Sequence, residues 1–271
     1  QQFGKRQQHQ ACPPWLAAAA AAAALRVRAA GFKPDASTAL IVVDVQNCFV
    51  PGGTLPVAKG DEVVPVINKI APAFANIVVT QDWHTPGHAS FASTYAGKKP
   101  FETTTLKYGQ QVLWPDHCVQ GTDDAALHKD LKLPTAQLII RKGYNKGVDS
   151  YSAFEEADRK TVTGLAGYLK ARGIKTVVVT GLATDFCVAW TAMDARKAGF
   201  NVLVVEDGSL VRVDAAPQTL LAVTHCSEHG SAFDVLRAAY HLGNRHVQLE
   251  LRPDRLLLEP DHVLADMLRQ M

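Results

Sequence analysis

Three residues of reactive type stand where short apolar runs stop. Asp44 follows the run 39–43, Lys142 follows 138–140, and Cys187 lies in GLATDFC (181–187) after the run 176–180, at the start of an expected helix. A cysteine attacks only as thiolate, and a helix N-terminus with a nearby cation lowers its pKa. Lys142 can supply that cation. Asp44 can take the thiol proton and return it to a leaving group. Cysteine hydrolases often use histidine as base, and a carboxylate in that role needs a neighbouring lysine and a desolvated site. Each residue has a plain reading alone: a loop-capping Asp, a solvated Lys, a small buried Cys. Together they describe nucleophilic hydrolysis.

A second set is Asp82, His84 and His88, joined by His117 in WPDHC (114–118). Residues i and i+2 of an extended segment point to one side, so Asp82 and His84 can share an ion. A third ligand from a distant loop leaves positions open, as catalytic metals require. His88 is the weakest of the four, because three protein ligands suffice. Histidines among Gly and Pro are also common as ordinary loop residues.

These residues need a scaffold that gathers strand ends. Runs at 39–43, 77–80, 138–140, 176–180 and 201–205 are short, continuous and rich in β-branched residues, as in strands buried on both faces. Between them, helices are expected at about 62–76, 161–172, 186–198 and 216–227, with Gly173 and Gly199 at C-cap positions. The alternation predicts an α/β fold: a doubly wound, mostly parallel sheet with helices on both faces, three layers deep. Ligands in such sheets bind outside the carboxyl ends of the strands, where all three reactive residues stand. The stretch 85–136 breaks the rhythm, and irregular segments that long are usually functional. A strand is expected at 246–251 and a helix at 262–268.

Composition excludes other classes. Hydrophobic residues are 47% and charged residues 20% of 271, which excludes a disordered or fibrous chain. No apolar stretch of transmembrane length occurs. The net charge of +2 argues against a nucleic-acid binder. Five bases and no acid fall within 1–34, which also holds an alanine run at 17–24. That segment resembles an organellar transit peptide, with a low-complexity extension as the alternative. The expected localisation is cytoplasmic, or organellar if 1–34 is an address. The chain begins at Gln1 rather than Met, as a fragment would. The expected organisation is an extension at 1–34, a hydrolase domain at 35–240 and a tail at 241–271 of unknown role. Five cysteines, an odd number without CxxC, predict free thiols in a reducing compartment.

The stretches DVQNCFVPGG (44–53), QDWHTPGHASF (81–91), WPDHCVQGT (114–122), RKG (141–143), DSYSAF (149–154) and GLATDFCV (181–188) carry a resemblance. In this order they resemble the nicotinamidases of the isochorismatase-like cysteine hydrolase superfamily, over about 38–210. The resemblance implies hydrolysis of nicotinamide to nicotinate and ammonia in NAD salvage. It implies Asp44, Lys142 and Cys187 as catalytic triad. It implies Asp82, His84 and His117 as ligands of one divalent metal, usually zinc and sometimes iron or manganese, with His88 a further ligand in some members. Phe49, Trp114 and Tyr151 would line the pyridine pocket. The amides of Ala183 and Cys187 would form an oxyanion hole, with a cis peptide before Ala183. Cys48 stands where the family usually has Asp, Gly208 where alanine is usual, and the chain beyond about Ala215 fits the family poorly. Other readings are a different small-amide hydrolase of the superfamily, pyrazinamide-like rings included, a metalloenzyme with water as nucleophile, and an inactive binding homologue. The expected partner is the small-molecule substrate, with no nucleic acid or membrane, and a homo-oligomer is possible.

Overall fold

The structure is a computed structural model and describes residues 32–205, 210–213, 221–224, 231–244, 247 and 249–258. The expected extension at 1–34 lies almost wholly outside the described residues, as do Gly208 and the expected helix at 262–268. No described helix is long and apolar enough to cross a membrane. The chain divides into two compact units, 1–215 and 216–271.

The first unit is built on strands β1 (Thr38–Val43), β2 (Asn76–Asp82), β5 (Leu138–Lys142), β6 (Thr176–Gly181), β7 (Asn201–Val205) and β8 (Leu210–Val213). They lie in the order β5-β2-β1-β6-β7-β8, all parallel except β8, which pairs antiparallel with β7. Helices α1 (Val63–Ile70), α2 (Leu165–Ala171) and α3 (Ala189–Lys197) cover the sheet. Successive side chains of a strand point to opposite faces. Leu40 and Val42 of β1 therefore pack with Val63, Val64 and Ile67 of α1, while Ala39, Ile41 and Val43 pack with Leu165 and Leu169 of α2 and Ala192 and Ala195 of α3. This is the expected three-layer, doubly wound fold. From β1 the chain winds outward through β2 to β5, then crosses back to β6 and β7. The switch point lies between the ends of β1 and β6, where Asp44 leaves one strand and the Cys187 segment leaves the other.

Several boundaries differ from expectation for local reasons. Alpha-helix α1 stops at Ile70, because Pro72 falls in a 3-10 turn that ends it before β2 begins. Helix α2 starts at Leu165, because Gly164 has φ +90° and Thr163 Oγ1 accepts the Leu165 N–H. Strand β5 is an edge strand, not buried on both faces, and Ile139 is 52% exposed. Within the stretch read as irregular, β3 (Thr103–Leu106) and β4 (Gly109–Val112) form a separate antiparallel hairpin.

The second unit holds β9 (Leu221–Val223), α4 (Ala232–Gly243), β10 (Glu250–Leu251) and β11 (Leu256–Leu258). An antiparallel sheet runs β10-β11-β9, and Ala238 and Leu242 of α4 join Leu256 and Leu258 in its core. Of the helix expected over 216–227, Leu221–Val223 is instead a strand, and 216–220 and 225–227 lie outside the described residues. Of the strand expected at 246–251, Glu250–Leu251 is a strand, and 246 and 248 lie outside the described residues. The division falls at 215/216 rather than near 240, because β9 pairs with β11 and not with the large sheet.

Candidate active site

Lys142 is the hub of the site. It is fully buried, and a buried ammonium is costly unless paired and hydrogen-bonded. Its Nζ lies 2.9 Å from Asp44 Oδ2, forms an ion pair with Asp82 Oδ1, donates to the Ser150 carbonyl at 3.1 Å, and stands 3.6 Å from Cys187 Sγ. The sheet dictates this meeting, because Asp82 and Lys142 are register partners at the ends of β2 and β5. Asp44 leaves β1 with φ +49°, a strained value that Asp tolerates better than most residues. Thr80 Oγ1 of β2 donates to its Oδ1. Cys187 lies in a π-helical turn, Thr184–Val188, that runs directly into α3. The Leu182–Ala183 peptide before that turn is cis.

Charge follows from burial and these pairings. Burial works against the Lys142 ammonium, but the Asp44 and Asp82 carboxylates outweigh it and raise its pKa well above the ordinary value. Burial pushes Asp44 up, the more so for the Asp82 charge beside it, and Lys142 only partly restrains the rise. Burial likewise drives the Cys187 thiol well above its ordinary value, with Lys142 opposing and Asp44 and Asp82 adding. This corrects the expectation of a thiol made acidic by a helix end and a lysine. Burial first, and then the two carboxylates that share the Lys142 charge, favour the thiol over the thiolate, so a base for its proton is part of the attack.

The second set also converges. Asp82 Oδ2 lies 3.5 Å from His84 Nε2 and 3.9 Å from His117 Nε2, and the three residues offer donor atoms within 4.8 Å of one another. Each imidazole is oriented from behind. His84 Nδ1 bonds the Gly143 carbonyl at 2.9 Å and His117 Nδ1 bonds the Pro115 carbonyl at 2.7 Å. Carbonyls accept only, so both Nδ1 atoms carry hydrogen and both Nε2 atoms are left facing the carboxylate, the orientation of metal-ligating histidines. Burial resists ionising Asp82, yet Lys142 and His84 bring its pKa below the ordinary range. Burial and the His84 charge press His117 down to about 4, whereas Asp82 overcomes burial and raises His84. A carboxylate and two outward imidazole nitrogens fit a divalent metal ion.

His88 is not gathered into this set. Its Nε2 faces the carbonyls of Asn145 at 3.0 Å and Val148 at 3.1 Å, and its Nδ1 faces Ser90 Oγ at 2.8 Å. Both nitrogens are engaged, and the ring lies against His84 with centroids 4.4 Å apart. His88 instead offers a ligand atom to a second group, with His84 and Asp149.

Above Lys142 opens a cavity of about 210 Å³. Cys187, Asp82 and His117 border it, and so do Phe49, Trp114 and Tyr151, the pocket residues the resemblance implies, and Ala183 of the implied oxyanion hole. The volume is below the range of drug-sized sites and suits a single small ring. Cys48 and Cys118 are joined in a disulfide, with Cα atoms 5.5 Å apart, contrary to the expectation of free thiols. Their 70-residue separation hid the contact. Cys187 is the free cysteine among the described residues.

Residues 38–224 match the isochorismatase domain family. The nicotinamidase of Acinetobacter baylyi is 66% identical over 169 residues, which is 62% of this chain and 79% of that protein. The chain belongs to the nicotinamidases of the isochorismatase family. The solved nicotinamidase pyrazinamidase of Acinetobacter baumanii superposes with TM-score 0.64 at 62% identity, over 65% of this chain and 85% of that one. A zinc complex of the Pyrococcus horikoshii pyrazinamidase superposes at TM-score 0.50 and 36% identity, over 62% and 83%. Residues 218–271 match a different family, the C-terminal domain of the UreE urease accessory protein. A UreE of Methylibium petroleiphilum is 82% identical over 73 residues, 27% of this chain, which spans about a third (34%) of that relative.

Within the hydrolase family's site, sequence reasoning missed three parts. The Lys142–Asp82 pair joins the triad to the metal-ligand set, and the strand register is the signal that predicts it. Gln46 locks the Asp82 backbone, accepting its N–H at 2.8 Å and donating to its carbonyl at 2.9 Å. Asp149 and Gln111 brace the aromatic wall; Asp149 opens the DSYSAF stretch without having been singled out, and no local motif marks Gln111.

Proposed function

We propose that the chain hydrolyses nicotinamide to nicotinate and ammonia through a thioester on Cys187, as a step of NAD salvage. The observation that carries the reading is the Lys142 ammonium. It touches the Asp44 carboxylate and the Cys187 thiol beneath a one-ring cavity, and it also pairs with a candidate metal ligand in that cavity's wall.

The substrate ring sits between Phe49 and Trp114, which fixes the carboxamide against Sγ. Asp44 takes the thiol proton as the Sγ–C bond forms, and Lys142 holds both partners. The amides of Ala183 and Cys187 receive the developing oxyanion. The C–N bond breaks and Asp44 returns the proton to the leaving nitrogen, which departs as ammonia. Asp44 then draws a proton from water as its oxygen attacks the thioester, and nicotinate leaves with the thiol restored. Asp82, His84 and His117 would hold one divalent ion, zinc by preference, whose Lewis acidity supplies an anchor for the pyridine nitrogen. His88 serves to position His84. The organisation we infer is a hydrolase unit ending near Ala215, followed by a separate UreE-like unit; the contact division and the second family match support it.

The test is ammonia release from nicotinamide by purified protein, with nicotinate identified as product. Turnover of another small amide and none of nicotinamide would move the chain elsewhere in the superfamily. Full activity after exhaustive metal stripping would remove the ion from the reading.

A further inference from the structure

The hairpin of β3 and β4 lies outside both layers of the core. Of its eight strand residues Gln111 alone is buried, at 2% exposure. A hairpin that merely packs buries an apolar side chain, whereas this one buries a primary amide. We propose that Gln111 is a positioning residue for the substrate ring, acting through Tyr151 and Trp114. The proposal rests on the nicotinamidase reading for its kinetics and on hydrogen-bond geometry for the rest.

The amide is saturated. Its Nε2 carries two hydrogens, shared among three acceptors: Asp149 Oδ2 at 2.6 Å, its neighbour's carbonyl at 2.7 Å and, longest, the Tyr151 hydroxyl oxygen at 3.1 Å. Its Oε1 accepts from the Tyr108 hydroxyl at 2.8 Å, and Tyr108 in turn accepts the Asp149 N–H at 3.1 Å. The Tyr151 oxygen also accepts from Trp114 Nε1 at 3.2 Å. A phenol oxygen has two acceptor sites and one hydrogen. Gln111 and Trp114 face the two acceptor sites. Three walls of the reaction cavity, Trp114, Asp149 and Tyr151, are thus tied to one another, and two of them directly to Gln111. Removing the amide leaves Asp149 and Tyr151 short of a donor in a buried site, where such a loss is costly. The indole then loses the neighbour that fixes its hydrogen-bond acceptor. None of these groups reaches Cys187 in a hydrogen bond, so the consequence falls on ring placement before it falls on chemistry.

The test compares Gln111→Leu, of similar volume, and Tyr151→Phe with wild type. Expected is a rise in KM for nicotinamide of about tenfold in each, with kcat changed less than about threefold. The double variant should be no worse than the poorer single, because the two changes cut one network. The Trp114 indole N–H resonance, assigned by its loss in Trp114→Phe, should shift in both singles. An unmoved resonance with unchanged KM overturns the proposal. So does a uniform loss of activity that tracks a lowered melting temperature. If Gln111→Leu fails to fold, Tyr151→Phe alone decides by the same two readouts. A wild type that turns over no nicotinamide, yet shows the indole shift in the variants, would overturn the functional reading and leave the network standing.

Discussion

At the scale of single residues, the site works with a thiol that burial keeps protonated and a carboxylate that burial has made more basic. Cys187→Ala should lower kcat at least about a thousand-fold while the circular dichroism and metal content stay at wild-type levels. Ammonia release at a tenth of the wild-type rate would instead favour attack by water. Asp44 must be ionised to accept the thiol proton, and its folded pKa is raised. Activity should therefore fall on the acid side at a pH above the ordinary carboxylate value of 3.8, as Asp44 takes up a proton. A kcat/KM profile measures this, and a limb at or below that value would contradict it. Asp44, Lys142 and Cys187 were legible because each is a reactive type at a strand end. Their charge states were not, because a pKa depends on neighbours that sequence distance conceals. Lys142 looked like a cation available to the thiol, and Asp82 turns out to share it.

At the scale of elements, the parallel strands do the positioning and a few glycines permit it. Gly143 follows β5 with φ +67°, and a Cβ there would stand 2.6 Å from His84 Cε1 and 2.7 Å from His84 Nδ1. Backbone must pass that close because its carbonyl orients the His84 ring. Gly143→Ala should displace His84, cost about 1–2 kcal/mol from the left-handed backbone alone, and lower bound transition metal. Metal analysis beside a thermal melt checks both, and a fully metal-loaded variant would show that the ring can retreat without loss. The five parallel strands were readable as β-branched runs. Strand β8 and the β3–β4 hairpin were not, being four-residue strands without a sustained period. Helix α1 was read too long because apolar residues continue past Pro72. His88 was named by its spacing, which could not show that the carbonyls of Asn145 and Val148 face its Nε2.

At the scale of the molecule, two families meet in one chain. Every candidate catalytic and metal residue lies in the first unit, so a chain ending at Ala215 should keep kcat/KM for nicotinamide within about threefold of the whole protein, domains generally holding their own cores. A loss beyond tenfold would mean that the hydrolase needs residues 216–271. The meeting was legible only as a fading resemblance beyond Ala215; strands of three residues and fewer, in β9, β10 and β11, leave little periodic signal to read. One covalent feature has its effect where no native distance records it. Cys48 adjoins Phe49 and Cys118 adjoins His117, so the disulfide closes a ring of chain that includes β2, β3 and β4. A polymer so looped has fewer random conformations available once it melts. For a separation of 70 residues that restriction amounts to about 4 kcal/mol, most of it belonging to the disordered chain rather than to any contact in the ordered one. Reduced protein should therefore keep its native distances around Lys142 and still melt about 10 °C lower, the difference lying in what the chain may become when it lets go.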